Sequence, residues 1–132
     1  MNKKTSIAII IVLAILLIIT SFYTIVHMLY NYSTTDWFQE KCGTSYTVIG
    51  KEIGTPLLDG KSEAQIEIYD NTRKKFILSF NTKLDNSGSP LSQDNYNIVT
   101  NNEYFSLILY DNGKNIYATY SFYYNDLINI KG

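Results

Sequence analysis

The chain has 132 residues, with 11 Lys+Arg against 12 Asp+Glu, one His, one Cys, one Trp and 12 Tyr. One Cys excludes an internal disulfide framework and a multi-Cys metal site, and one His excludes a multi-His zinc site. The near-neutral charge argues against a nucleic-acid-binding domain, and the mean hydropathy of -0.08 averages two unlike parts.

The first part is apolar. Ile7 to Ile19 runs without a polar residue, and Phe22, Tyr23, Ile25, Val26, Met28, Leu29 and Tyr30 continue it. No formal charge falls between Lys4 and Asp36. As a helix, residues 7–29 rise about 34 Å, enough for a hydrocarbon core of about 30 Å. Lipid leaves no outside partner for backbone polar groups, so the segment is expected to be helical despite its many Ile residues. Tyr30, Tyr32 and Trp37 lie where amphipathic rings meet a headgroup boundary. Lys3 and Lys4 precede the run, while Asp36, Glu40 and Lys41 follow it. The positive-inside rule then leaves residues 1–6 as a cytoplasmic tail and makes 7–30 a signal-anchor helix. The competing reading is secretion after signal cleavage. The Lys-rich start fits it, but residues 19–24 hold no small-x-small site and the run is long for a signal.

The second part reads as a juxtamembrane segment, 31–44, followed by an extracytoplasmic β domain, 45–132. Residues 31–132 hold nine basic and twelve acidic residues. Residues 33–42 read as a short helix, with Ser33 and Asp36 in a capping pattern. From Ser45 the period becomes two. Residues 46–49 form a first strand, and Gly50, Gly54, Pro56 and Gly60 mark bends. Ala64, Ile66 and Ile68 alternate with polar residues, Asp70-Asn71-Thr72-Arg73 reads as a turn, and Phe76, Leu78 and Phe80 share the next face. Residues 82–94 are the longest loop and by composition the most mobile. The last hairpin joins residues 104–110 to 115–124 through Asn112-Gly113, a type I′ signal. That turn sets Leu109 opposite Ile116, Leu107 opposite Ala118 and Phe105 opposite Tyr120. The expected fold is α+β: a transmembrane helix, then a mainly antiparallel meander or open barrel of five to six strands.

Catalytic signals are weak. His27 lies near the outer end of the apolar run with no second His to relay a proton, and an interfacial neutral imidazole accounts for it. Cys42 is a candidate free thiol, weighed against a small buried residue. Asp85-Asn86-Ser87-Gly88-Ser89 is oxygen-rich, but its Gly and distal acid miss the EF-hand spacing. Asn31-Tyr32-Ser33 is a glycosylation sequon beside the helix. No G-x-S-x-G, S-x-x-K or phosphate-binding Gly loop occurs. The sequence therefore calls for no cofactor, metal or enzyme activity.

The aromatic load remains. Tyr104, Tyr110, Tyr117 and Tyr123 lie opposite the Leu107/Leu109 face and form a candidate interaction surface. The expected function is a single-pass, membrane-anchored binding module of the cell envelope. Its partners would be membrane lipid and a protein or cell-wall component, with no nucleic acid and with homo-oligomerisation open. One alternative is a structural or assembly subunit packing through its N-terminal helix. An apolar helix before a sheet resembles pilin-like subunits in outline, but Lys4-Thr5-Ser6 lacks their Gly before the helix and their early Glu. A third reading is an envelope hydrolase or redox protein using Cys42 or a Ser-Lys pair.

Overall fold

The computed structural model describes residues 2–32, 34–54 and 60–131, with the main chain alone at 29–32. Two units are separate, residues 1–33 and 34–132. The first is the helix α1 (Lys3–Tyr32). Leu13, Ile15, Leu16 and Ile18 project from different sides of it and are all exposed. Such all-round apolarity belongs to a buried or lipid-embedded helix, not to a surface helix. The hydroxyls of Thr20 and Thr24 donate back to Leu16 O and Thr20 O, at 2.8 and 2.9 Å, and so find partners inside the helix. Lys3–Met28 is long and apolar enough to cross a membrane. The side chains of Tyr30 and Tyr32, and of the Asn31 sequon, lie outside the described residues.

The second unit holds seven strands: β1 (Thr34–Cys42), β2 (Tyr46–Ile53), β3 (Lys61–Asp70), β4 (Lys75–Asp85), β5 (Tyr96–Thr100), β6 (Tyr104–Tyr110) and β7 (Ile116–Tyr123). A short helix, α2 (Tyr124–Ile128), comes after them. The strands form two antiparallel sheets, β1-β2-β3-β4 and β5-β6-β7. Each sheet is a meander, but the two stack face to face instead of closing into one sheet or barrel. Period-two alternation identifies strands and faces; it does not say which strands share a sheet.

Val48, Ile66, Ile68 and Leu84 from the first sheet meet Phe105, Leu107 and Leu109 from the second, all with no exposed surface. Burying each such side chain contributes about 1.5–3 kcal/mol. Rings knit the seam: Tyr46 lies 6.3 Å from Phe105, Phe80 4.7 Å from Tyr120, and Phe38 stacks on Tyr96 at 4.0 Å. Leu127 of α2 closes one end of the core.

Two local expectations are corrected by bulges. Residues 34–42 are strand β1, not a helix. Trp37 is the extra residue of a bulge between Asp36 and Phe38, which hides the alternation in the sequence. Phe38 then lies over Gly50 of β2, where a Cβ would overlap its ring. In β4 the extra residue is Ile77. The bulge buries Ile77 and turns Phe76 out beside Tyr69, so Phe76 does not share the inward face of Leu78 and Phe80.

The stretch 82–94 is also more ordered than its composition suggests. β4 extends through Asp85. Two buried amides then tie down residues 86–95. Asn86 donates to Ser89 O and Pro90 O, and Asn95 donates to Asn86 Oδ1 and Tyr110 O. Buried Glu52 accepts from Leu91 N–H at 2.6 Å. In the Asp85–Ser89 run, Ser87 and Gly88 take positive φ as turn residues.

The β3–β4 turn anchors the C-terminus. Asp70 accepts from the backbone N–H groups of Thr72 and Arg73 and from the Arg73 guanidinium. Arg73 in turn donates to Leu127 O in the last turn of α2 and to Ile130 O just beyond it, where a cation suits the helix terminus. The backbone bond from Arg73 is the main cause holding the Asp70 carboxyl below its ordinary range, against the opposing cost of burial.

Gly50→Ala is expected to cost about 1–3 kcal/mol through the clash with Phe38, measured as a shift in thermal midpoint. Asp70 contributes stability above its unfolded value of about 3.9, and that contribution is lost as pH falls through the lower folded value. Urea midpoints are therefore expected to drop more steeply below pH about 4 in the parent than in Asp70→Asn.

Candidate binding face

The β6–β7 hairpin positions the candidate Tyr residues. Its turn is not the two-residue type I′ loop read from Asn112-Gly113. Lys114 N–H donates to Asp111 O and Asp111 N–H to Asn115 O, both at 3.0 Å. Asp111 Oδ1 accepts from Gly113 N–H and Asn115 N–H. The left-handed residue is Lys114, with φ 61°, while Gly113 is outside that region. This is a three-residue loop, a type I turn followed by a left-handed residue. The Asp111 carboxylate selects it by binding two amides that a two-residue loop would not present together.

The longer loop and a bulge at Tyr117 shift the pairing by two residues. Leu109 faces Ala118, Leu107 faces Tyr120 and Phe105 faces Phe122. A shift of two preserves parity, so the inward and outward faces stay as read from the sequence. The bulge brings both Ile116 and Tyr117 to the surface, at 64% and 50% exposure.

The outer face of the three-stranded sheet therefore carries Tyr104, Ser106, Ile108 and Tyr110 from β6. Beside them lie Tyr117, Thr119, Ser121 and Tyr123 from β7. β5, which the sequence reading did not place, adds Asn97 and Val99 opposite Ile108 and Ser106. The run Tyr96-Asn97-Ile98-Val99 does alternate, but five residues after a polar loop give little signal. Tyr104 and Tyr123 pair across the strands with rings 5.2 Å apart. The hydroxyls of Ser106 and Ser121 bond at 2.7 Å. Tyr104 and Tyr110 are half-buried, while Tyr117 and Tyr123 are exposed. Thr119 and Ser121 between the β7 rings are exposed as well.

The face holds no charged residue. The opposite surface of the sandwich, the outer face of β2-β3-β4, carries Lys51, Glu63, Glu67 and Lys83, with Lys51 and Glu67 paired at 3.4 Å. One sheet thus presents an ordinary solvated surface. The other offers flat rings with hydroxyls between them, suited to an uncharged ring, sugar or extended peptide.

The remaining candidates have structural partners. Trp37 is half-buried; its indole N–H donates to Ser92 O at 2.8 Å and its ring stands edge-on to Tyr96. Tyr96 OH donates to Glu40. Cys42 is fully buried and unbonded to another sulfur. Burial, then the Glu40 charge, pushes its thiol up to about 11. At neutral pH it is the unreactive thiol, not the thiolate. His27 stacks on Tyr23 one turn earlier in α1, centroids 6.0 Å apart. A polar cleft of about 230 Å³ between the 86–95 loop and the last turn is lined by the Asn86, Asn95 and Asp111 groups already bonded there. Among the described residues no three His, Cys, Asp or Glu side chains converge on a metal position.

Lys114→Gly is expected to stabilise the unit by about 1 kcal/mol, because Gly takes the left-handed position without strain. Asp111→Ala should lower stability, and both shifts are read from urea midpoints.

No family model, curated protein or solved structure matches the chain.

Proposed function

We propose that this protein is a single-pass membrane-anchored binding module whose β domain stands outside the cytoplasm. It docks an uncharged surface of a protein or cell-wall partner on the outer face of β5-β6-β7. The observation that carries this reading is the contrast between the two outer faces of one sandwich: one is laced with charge, the other is aromatic and charge-free. Exposed aromatic rings with few charges are the composition of interface centres. The anchor rests on α1, whose apolar surface runs all round. Its orientation rests on Lys3 and Lys4 before the helix and Asp36 and Glu40 after it. The face holds no acid, base or nucleophile beyond hydroxyls, so binding is the role it supports best.

Alkaline carbonate extraction of membranes is expected to leave the full chain in the pellet; release into the supernatant would overturn the anchor. Tyr117→Ala combined with Tyr123→Ala is expected to reduce retention on isolated envelope fractions at least tenfold. Shielding of Cys42 from thiol reagent reports that the variant is folded. Undiminished retention by a folded variant would contradict the docking face.

A further inference from the structure

Four strand edges bound the two sheets: β1 and β4 on one, β5 and β7 on the other. An exposed edge is a template for another strand, and proteins blunt it with charge, bulges or brevity. β1 carries Asp36, Glu40, Lys41 and the bulge at Trp37. β4 carries Lys75, Lys83, Asp85 and the bulge at Ile77. β5 is five residues long. β7 is different. Ile116-Tyr117-Ala118-Thr119-Tyr120-Ser121-Phe122-Tyr123 has no charge and no Pro. Its bulge at Tyr117 lies beside the turn, leaving 118–123 regular.

The phase of this edge is fixed by one bond. Tyr124 N–H donates to Glu103 O. Main-chain groups alternate between the two sides of a strand, so residues 118, 120 and 122 bond toward β6. Thr119, Ser121 and Tyr123 turn their N–H and C=O outward, and among the described residues no strand pairs with them.

We infer that the free edge of β7 pairs antiparallel with β7 of a second copy, about a two-fold axis at Ser121, joining two three-stranded sheets into one. Several observations single out a second copy. The edge is self-complementary: pairing Ser121 with Ser121 of the other copy, and Thr119 with its Tyr123, engages all the outward groups of both strands. Every other two-fold register leaves some unpaired or runs into the bulge. With no charge on β7, self-pairing sets no like charges opposite each other. The Ser106–Ser121 hydroxyl contact continues across the axis as a serine row. The inner side sets Tyr120 against Phe122, and these two rings already pack on Phe80 within each copy.

A single edge buries less than the 1,200–2,000 Å² of a standard interface, so the pairing draws on confinement of both copies to one bilayer. In that respect it rests on the anchor proposed above. The edge uses the main-chain groups of β7, whose side chains form part of the Tyr face, and pairing doubles that face.

The test uses the full chain in native membranes. Ser121→Cys is expected to form a disulfide-linked dimer with copper phenanthroline. Thr119→Cys is not, because the two Thr119 positions lie on opposite sides of the axis, beyond the 7 Å reach of a disulfide. Thr119→Pro removes an outward N–H without touching the β6 ladder. It is expected to reduce Ser121→Cys cross-linking at least tenfold, with Cys42 still shielded. Cross-linking at both positions alike, at Thr119 alone or at neither would overturn the pairing, as would undiminished Ser121→Cys cross-linking when Thr119→Pro is added. If Thr119→Pro exposes Cys42, the comparison of the two Cys variants decides. Carbonate release of a chain that still cross-links at Ser121 would remove the anchor and keep the edge.

Discussion

The second unit depends on the mutual burial of two small sheet faces. Phe105, Leu107 and Leu109 have no exposed surface because Val48, Ile66 and Ile68 lie against them, and neither sheet holds enough apolar area to fold alone. That single contact dictates the rest. It commits one face of each sheet to the core and leaves the other to solvent. It draws on bulges to set which side chains enter it: the one in β4 buries Ile77 and turns Phe76 out. It also leaves four open edges, since a sandwich does not close on itself as a barrel does.

Within that frame, specificity comes from a few polar contacts placed where the core ends. Asp70 and Arg73 hold the C-terminal carbonyls against the β3–β4 turn. Asn86 and Asn95 hold the loop between the sheets. Asp111 chooses the last turn and so the pairing of β6 with β7. Arg73, Asn86 and Asn95 satisfy groups that burial would otherwise strand, which is worth about 1–3 kcal/mol apiece when lost; the Asp111 bonds lie at the surface. The aromatic load divides in the same way. Tyr46, Tyr96, Tyr120 and Tyr124 belong to the seam, while Tyr104, Tyr110, Tyr117 and Tyr123 are left outside it.

Much of this was legible in the residues. The apolar helix was, because an apolar run of that length without a charge is itself a helix signal. The inward and outward faces of the last hairpin were too, because parity survives a two-residue shift. Asn112-Gly113 misled on turn type, since the local signal of Gly was outweighed by the carboxylate of Asp111. Trp37 and Ile77 misled on β1 and on Phe76, since a bulge is one residue that breaks a period without leaving a mark of its own. The order in residues 86–95 was invisible because polar composition does not distinguish a solvated amide from a buried one. The division into two sheets was invisible because alternation is a property of strands, whereas sheet membership is decided by contacts far apart in sequence.

The central claim is that the charge-free face, and not its charged counterpart, meets another molecule in the cell envelope. A photo-reactive phenylalanine analogue in place of Tyr104, on that face and away from the free edge, compares directly with the same analogue in place of Gln65 on the charged sheet. In intact cells a discrete adduct with a non-identical partner is expected from position 104 and none from position 65. An adduct from position 65 alone, or equal yields from the two, would contradict the claim.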